Sequence, residues 1–467
     1  MSFTIQQVMI PVDRGYATVD VQITGQTITA IAPHLEPVGT IINGQDQLLL
    51  PGFVNAHTHS SEMWQRGSIP PVPLELWIAE LYDFTPLDLE RVYLSALGTA
   101  VETLLTGGTS VVDHLTLIPG QEFETIATAV KAYQEVGIRA FVAPLIQDES
   151  LSASVPDGGL GKQSEAYFRS TQATLDILEA AAKEFHRPEA GVQLLTAPTG
   201  MQMCSDALFK GCVELSDRYG LCRHTHLLET KAQAMLAQEK YGRSAVAHLQ
   251  DLGFLNERTS LAHCVWLTDA DIEILAETKA TVVHNALSNL RLGSGIAPVL
   301  KYLAAGVNVT FGCDGSASND SQDLLEAIKM GSILHCVTDV DYKHWITPRK
   351  SVEMASLGGA TGLNLQDQLG SIEVGKQADL MLYNLSDLSL LPKTDPIGLL
   401  ILGRPNQVVN QAWVQGKQVI ADGQITGIDV AGLKKELFAK SEWASERPSP
   451  MRKKMEAHYR QVMNLPA

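Results

Sequence analysis

Residues 53–60, FVNAHTHS, place His57 and His59 at the end of an apolar run, 48–56 (LLLPGFVNA). In a β-strand, residues two apart point to the same face, so both imidazoles can face one ion. Barrel enzymes place their active sites at the carboxyl ends of their strands, where this pair falls. An HxH pair is a weak signal by itself, but this position favours a functional interpretation over packing.

From about residue 53, strand-like apolar runs alternate with helical stretches, which is the pattern of a parallel sheet with crossover helices. Eight runs are present, which is the strand number of a (β/α)8 TIM barrel. They are FVNAHTHS from 53, SVVDHL from 110, RAFVAPL from 139, VQLLTAP from 192, LCRHTHLLE from 221, TSLAHCVW from 259, ATVVHNAL from 280 and NVTFGCDG from 308.

Both chain ends carry short strand-like segments without this alternation, so we expect them to form one small β-sandwich domain. The last forty residues, rich in Lys, Glu and Met, favour helices. The predicted organisation is 1–52 and 372–428 as the two parts of the β-sandwich, 53–371 as a metal-dependent catalytic barrel and 429–467 as a helical tail.

The bulk composition favours a cytoplasmic enzyme with a small-molecule partner. The chain has 467 residues, 45% hydrophobic and 19% charged, with a formal net charge of −17. That charge disfavours nucleic acid and anionic membranes as partners, because both require clustered positive potential. The N-terminus does not resemble a secretory signal, and the six cysteines form no CxxC pair. We expect a cytoplasmic homodimer or higher homo-oligomer.

Three further runs end in metal-binding or proton-transferring side chains. The fifth run contains His224 and His226, followed by Glu229, and the sixth and eighth contain His263 and Asp314. One of the two fifth-run histidines is expected to bind the ion. Three imidazoles and a carboxylate suit a divalent ion such as zinc, with a position left open for a water molecule whose pKa the ion lowers.

The fourth run, residues 192–198, predicts one ion rather than two. Two-metal barrels of this type usually bridge their ions with a modified lysine at the end of this strand, and VQLLTAP has none. This disfavours cyclic amide hydrolysis of the hydantoinase or dihydroorotase type.

The motifs, in this order, resemble the cytosine deaminase and chlorohydrolase branch of the amidohydrolase superfamily. The resemblance spans nearly the whole chain, and the block from 284 to 319 is similar to that of the S-adenosylhomocysteine and methylthioadenosine deaminases. It is carried by PGFVNAHTHS, HTHLLE, LAHC, HNALSNLRLGSGIAPV and GCDGSASN.

The resemblance implies a role for each candidate residue. Glu229 would protonate the ring nitrogen, His263 would orient the attacking hydroxide, and His224 would be structural. Asp314 would also accept the proton of the water. The implied ligands of one divalent ion, zinc or alternatively iron, are His57, His59, His226 and Asp314.

Four residues are candidates for substrate binding. His114, in VVDHL, resembles a histidine near the ligand in 8-oxoguanine deaminase and the hydroxyatrazine aminohydrolases. Glu75 and Trp77, in PLELWI, resemble a loop over the barrel mouth, although packing explains them equally well. Asn285 follows the seventh run and would bind substrate or fasten its loop.

The expected activity is hydrolytic removal of an amino or alkylamino group from a purine, pyrimidine, pterin or s-triazine. Adenosine-type deaminases usually carry a histidine in a PHSPY-like segment, where this chain has Pro198-Thr199-Gly200-Met201, so S-adenosylhomocysteine is not assigned. Hydrolytic removal of chloride is the main alternative, and cyclic amide hydrolysis is weaker. A non-catalytic barrel would have lost a ligand or Glu229, and none is lost.

Overall fold

A computed structural model describes residues 2–82, 87–150, 169–443 and 449–466. Parts of the predicted barrel region (83–86 and 151–168) and of the predicted tail (444–448 and 467) therefore lie outside the described residues. Within the described part, no helix combines the length and the apolar character needed to cross a membrane.

The described strands and helices are numbered here in chain order. The strands are β1 Ser2–Pro11, β2 Tyr16–Thr24, β3 Thr27–Ala32, β4 Thr40–Asn43, β5 Gln47–Pro51, β6 Phe53–Thr58, β7 Gly108–Thr116, β8 Arg139–Ile146, β9 Val192–Pro198, β10 Cys222–Leu227, β11 Thr259–His263, β12 Thr281–His284, β13 Val309–Phe311, β14 Leu380–Asn384, β15 Val409–Val414, β16 Lys417–Ala421 and β17 Gln424–Ile425. The helices are α1 Leu74–Tyr82, α2 Leu89–Leu105, α3 Glu122–Val136, α4 Thr171–Phe185, α5 Asp206–Tyr219, α6 Lys231–Tyr241, α7 Ala245–Asp251, α8 Asp269–Thr278, α9 Ala286–Arg291, α10 Val299–Ala304, α11 Leu324–Ile333, α12 Pro348–Glu353, α13 Gly359–Gly362, α14 Pro396–Gly403, α15 Val430–Lys440 and α16 Pro450–Val462.

The eight strands β6 to β13 form one parallel sheet in chain order, which confirms the predicted barrel. Their residues are almost all buried, because one face fills the barrel interior and the other packs on helices. Helix starts are capped by side-chain oxygens, as at Asp88, Ser205 and Thr230, which fixes where each crossover helix begins.

Hydrogen bonds between the first and last strands close the barrel. The Asp314 N–H donates to the His57 carbonyl at 2.9 Å, and the Cys313 N–H donates to Asn55 Oδ1 at 2.9 Å. The Thr58 hydroxyl donates back to the Asp314 carbonyl at 3.0 Å. The closure therefore brings the end of the last strand beside the histidine pair of the first.

The chain ends form one mixed nine-stranded sheet, ordered β17-β16-β15-β14-β5-β1-β2-β3 with β4 beside β1. In a flat sheet, β1 and β15 would lie about 14 Å apart, at about 4.8 Å per strand. Instead the rings of Phe3 on β1 and Trp413 on β15 stack with centroids 5.1 Å apart. The sheet therefore folds over its own apolar core, as the predicted sandwich requires.

A buried ion pair joins this sheet to the barrel. Arg139, the first residue of β8, binds Asp379, the residue before β14, with Nε–Oδ1 and Nη2–Oδ2 distances of 3.0 and 2.9 Å. Both side chains are less than 5% exposed. The Gln415 N–H also donates to Asp379 Oδ2 at 3.1 Å, so this carboxylate connects three segments of the chain.

Removing one partner of this pair is expected to destabilise the fold more than removing both. Asp379→Leu leaves the Arg139 guanidinium buried and unpaired, which should lower the free energy of unfolding by about 3–5 kcal/mol. The double variant Arg139→Met/Asp379→Leu should recover part of that loss. Urea unfolding followed by circular dichroism measures both, and a double variant no more stable than the single one would contradict the prediction.

Candidate active site

A cavity of about 320 Å³ opens at the carboxyl ends of the barrel strands. Its floor contains His59, His226, His263, Glu229 and Asp314, all of which come from strand ends. Its upper wall is mainly apolar and includes side chains from α1 and from the segments that follow β7 and β9. A volume at the small end of the range for ligand pockets suits a compact substrate.

Two of the floor histidines direct bare nitrogen lone pairs at one another. The Nδ1–H of His59 donates to the His114 carbonyl and that of His226 to the Thr199 carbonyl, both at 2.7 Å. Carbonyls only accept, so in the neutral form of each ring the proton lies on Nδ1 and the lone pair on Nε2. These two Nε2 atoms lie 3.2 Å apart. A cation that both lone pairs can reach would offset the repulsion between them.

A relay of hydrogen bonds orients His57 in the same way. Ser260 Oγ donates to the Arg223 carbonyl at 3.4 Å and lies 2.7 Å from His224 Nδ1, so it accepts from that nitrogen. His224 Nε2 then accepts from His57 Nδ1 at 2.8 Å. His57 Nε2 is left buried with no hydrogen-bond partner. This supporting position for His224 agrees with its predicted structural role.

The Asp314 carboxylate lies beside these three histidines and adds a fourth potential metal ligand. Its Oδ1 lies 3.5 Å from His57 Nε2 and 3.6 Å from His59 Nε2. Two ligands of a tetrahedral zinc ion, each about 2.1 Å from it, lie about 3.4 Å apart. The observed separations of 3.2, 3.5 and 3.6 Å fit that geometry. The donor set of this structure therefore fits a divalent metal ion.

Burial keeps the imidazoles in the form that binds metal. It is the largest cause of the lowered pKa of His57, of His224 and of His226, all well below the usual value. A neutral imidazole has the free lone pair that coordination needs. Asp314 has a φ of +63° and His263 one of +74°, a left-handed conformation that costs about 1–3 kcal/mol each and persists at functional sites.

Glu229 and His263 lie beside this group. His263 Nε2 is 3.5 Å from Glu229 Oε2 and 3.8 Å from Asp314 Oδ2. The Nδ1–H of His263 donates to Asn289 Oδ1 at 2.9 Å, which fixes the ring. Burial, followed by the charge of Asp314, raises the pKa of Glu229 to about 7, although His263 and Ser294 oppose this. Glu229 can therefore hold a proton near neutral pH.

Of the four residues predicted to bind substrate, the structure places one, Trp77, on the cavity wall. His114 is fully buried, stacks on His226 with centroids 4.8 Å apart, and directs Nε2–H to the Ala197 carbonyl. Glu75 accepts from Thr230 Oγ1 at 2.5 Å behind the wall. Asn285 Nδ2 lies 3.5 Å from His263 Nδ1, so it contacts the imidazole rather than the cavity.

Sequence reasoning missed several polar residues of the cavity wall, among them Glu62 and Gln65. Both lie on a 3₁₀ helix, Ser60–Gln65, that begins directly after His59. The available signal was their position, three and six residues past the HxH pair at the end of the first barrel strand. The apolar wall residues Met203 and Leu292 carry no comparable signal.

Comparisons with known proteins agree with this geometry. The model of the amidohydrolase family matches residues 48–424, which is most of the chain. The chain belongs to the amidohydrolase family. A 5-methylthioadenosine/S-adenosylhomocysteine deaminase of Caldanaerobacter subterraneus is 32% identical over 90% of this chain and 92% of its own. A 5'-deoxyadenosine deaminase of Methanosarcina barkeri is 32% identical over 84% of this amidohydrolase and 86% of its own chain.

Solved structures of the family superpose along almost the whole chain. The zinc complex of the atrazine chlorohydrolase from Arthrobacter aurescens has a TM-score of 0.86 at 25% identity, covering 93% of this chain and 99% of its own. A zinc-bound adenosine deaminase from Xanthomonas campestris has a TM-score of 0.83 at 25% identity, covering 99% and 98%. These findings confirm the predicted family, and with it a metal-dependent, deaminase-type hydrolase that acts on a nitrogen heterocycle.

The relay from Ser260 to His57 predicts an effect on metal affinity. Ser260→Ala leaves the His224 Nδ1–H without an acceptor, so His57 loses its fixed orientation. Loss of such a supporting hydrogen bond typically costs about 10- to 100-fold in metal affinity. Competition with a chromogenic chelator measures the affinity for zinc. Ser95→Ala, the same change inside α2 where the hydroxyl bonds to its own helix, should leave affinity unchanged. Equal affinities in the two variants would contradict the relay.

Proposed function

We propose that this amidohydrolase uses a single zinc ion to remove an exocyclic amino or alkylamino group from a small purine, pyrimidine, pterin or s-triazine. The observation that carries the proposal is the convergence of three lone-pair nitrogens and one carboxylate beside a buried, protonatable glutamate. Two kinds of similar protein support it. Sequence relatives are deaminases named for adenosine-type compounds, and structurally similar proteins have been solved with zinc bound.

The proposed metal ligands are His57, His59, His226 and Asp314. Among the described residues, one group of potential ligands is His57, His59, His114 and His226, and the other is His57, His263 and Asp314. The two groups share His57 and therefore adjoin one another. The described fourth strand, β9, offers no lysine to bridge a second ion. In this position a divalent ion supplies Lewis acidity and lowers the pKa of the water that attacks the ring.

The protein's own groups move the protons. Asp314 lies where it could accept one proton of the attacking water and pass it to the leaving amine, which departs as ammonia or an alkylamine. The second proton of the water would restore the one that Glu229 gives up. Glu229, whose raised pKa lets it carry a proton near pH 7, would deliver that proton to the ring nitrogen next to the attacked carbon. His263, held by Asn289 and facing both carboxylates, would orient the water and stabilise the charge that develops on oxygen.

The main alternative function, hydrolytic removal of chloride, differs from the proposed one only in the leaving group. Attack on the ring carbon is the same for an amine or a chloride, and a neighbour of the same fold is an atrazine chlorohydrolase. Cyclic amide hydrolysis has less support, because the lysine that bridges two ions is missing. Cytoplasmic location and assembly into a homodimer are further proposals, carried by the sequence alone.

A release assay over heterocycles tests the proposal. The purified zinc-loaded enzyme is offered 5'-deoxyadenosine, methylthioadenosine, guanine, cytosine, a pterin, an alkylamino-s-triazine and a chloro-s-triazine. Ammonia or alkylamine release from at least one compound is expected. Chloride release without amine would establish the alternative function, and no release from any compound would contradict both.

Glu229→Gln tests the proton-transfer role separately from metal binding. The amide keeps the shape of the side chain but cannot deliver a proton, so kcat should fall by about 10²- to 10⁴-fold. Zinc content should stay at the wild-type level, because Glu229 belongs to neither group of potential ligands. Elemental analysis and single-turnover kinetics measure the two quantities. A variant that keeps wild-type kcat would exclude Glu229 as the proton donor.

A further inference from the structure

The cavity wall above the floor combines a majority of apolar side chains with uncharged polar ones and one carboxyl group, Glu62. Leu74, Trp77, Ile78, Leu117 and Leu145 are among its members. Among the described residues that line the cavity there is no lysine or arginine. An anionic substituent, such as a carboxylate or a phosphate, would therefore meet no opposite charge here, whereas an uncharged ring would be well accommodated.

Glu62 is a carboxyl group that the proposed chemistry does not use. It is 5% exposed, lines the cavity and belongs to neither group of potential metal ligands. Its one hydrogen bond in the structure is a long one, from the Ala317 N–H to Oε2 at 3.3 Å. A carboxyl group has about four acceptor positions, so most of its capacity is unfilled.

The surrounding backbone is built to admit this side chain. A Cβ atom at Gly315 would lie 1.7 Å from Glu62 Oε2 and 2.3 Å from its carboxyl carbon. Any side chain at position 315 would therefore displace Glu62 from the wall. Glycine at this position keeps the carboxyl group next to the turn that follows Asp314.

Gln65, one turn further along the same 3₁₀ helix, offers a second unfilled group. Its Oε1 is buried without a hydrogen-bond partner, and its side chain is 6% exposed. A buried amide oxygen without a partner costs free energy unless something binds it. Two polar groups with unfilled hydrogen-bonding capacity therefore lie three residues apart on one 3₁₀ helix of the cavity wall.

We propose that Glu62 and Gln65 are specificity-determining residues that bind the polar edge of an uncharged heterocyclic amine, on the side of the ring not engaged by Glu229. This rests on the proposed function and names its substrate class. The Glu62 carboxyl oxygens accept from a ring or exocyclic N–H of the substrate. Gln65 Oε1 accepts from a further ring or exocyclic N–H.

The competing explanation is that Glu62 only holds the turn at 315–317. In that case both its removal and its neutralisation would disturb Asp314, and metal binding would suffer.

The experiment compares Glu62→Gln, Glu62→Leu and Gln65→Leu with the wild-type zinc enzyme. The probes are two pairs of compounds, each with one member that carries a carboxylate: methylthioadenosine with the zwitterionic S-adenosylhomocysteine, and an alkylamino-s-triazine with its carboxyalkylamino analogue. Glu124→Leu, on the exposed face of α3, is the matched control. For each protein, zinc content, kcat and KM are measured.

Wild type should prefer the uncharged member of a pair in kcat/KM. Glu62→Gln keeps an acceptor oxygen and should stay within about fivefold of wild type, whereas Glu62→Leu should raise KM by about 10- to 100-fold. Gln65→Leu should raise KM by a smaller factor. Since the hydrogen bonds exist in ground and transition states alike, kcat and zinc content should change little.

Three results would overturn the inference while the proposed function stands. These are equal kcat/KM for the charged and uncharged members, a Glu62→Leu variant with wild-type KM, and zinc loss in both Glu62 variants. No turnover of any compound by the zinc-loaded wild type would instead overturn the proposed function, and this inference with it.

Discussion

The contact between the first and last barrel strands is the constraint on which the site depends. Asp314 can meet the histidines of β6 because its N–H is bonded to the His57 carbonyl, and its carbonyl accepts from Thr58. The same bonds hold Asp314 at its positive φ, so closure of the barrel and assembly of the ligand group are one event. A barrel that failed to close would have three imidazoles without a carboxylate.

Hydrogen bonds to the imidazoles determine the orientation of each ring and which of its two nitrogens is free to bind a metal ion. Backbone carbonyls hold His59 and His226, and a side-chain relay through His224 and Ser260 holds His57. In each case Nδ1 is engaged and Nε2 is left free, which is a common arrangement around protein-bound metals. The buried lone pairs of these rings then favour a cation at the centre.

Much of the barrel and of the candidate site could be predicted from the sequence, because both depend on local sequence patterns. Apolar runs that alternate with helical stretches predict the barrel strands, and the residues at their carboxyl ends include His57, His226 and Asp314. The direction of an individual side chain in a strand or at a helix start cannot be predicted from these patterns. His114 ends a strand like the others but turns toward Ala197, and Glu75 turns toward Thr230. Glu62 was missed because its environment is made by a distant turn at Gly315.

The central claim, one ion held by three imidazole nitrogens and a carboxylate, is tested most directly by zinc-edge X-ray absorption on the purified protein combined with elemental analysis. The account predicts about one zinc per chain with only nitrogen and oxygen neighbours, about 2.0–2.2 Å away, and multiple-scattering features of about three imidazoles. Two ions per chain, or a first shell containing sulfur or fewer than three imidazoles, would contradict it.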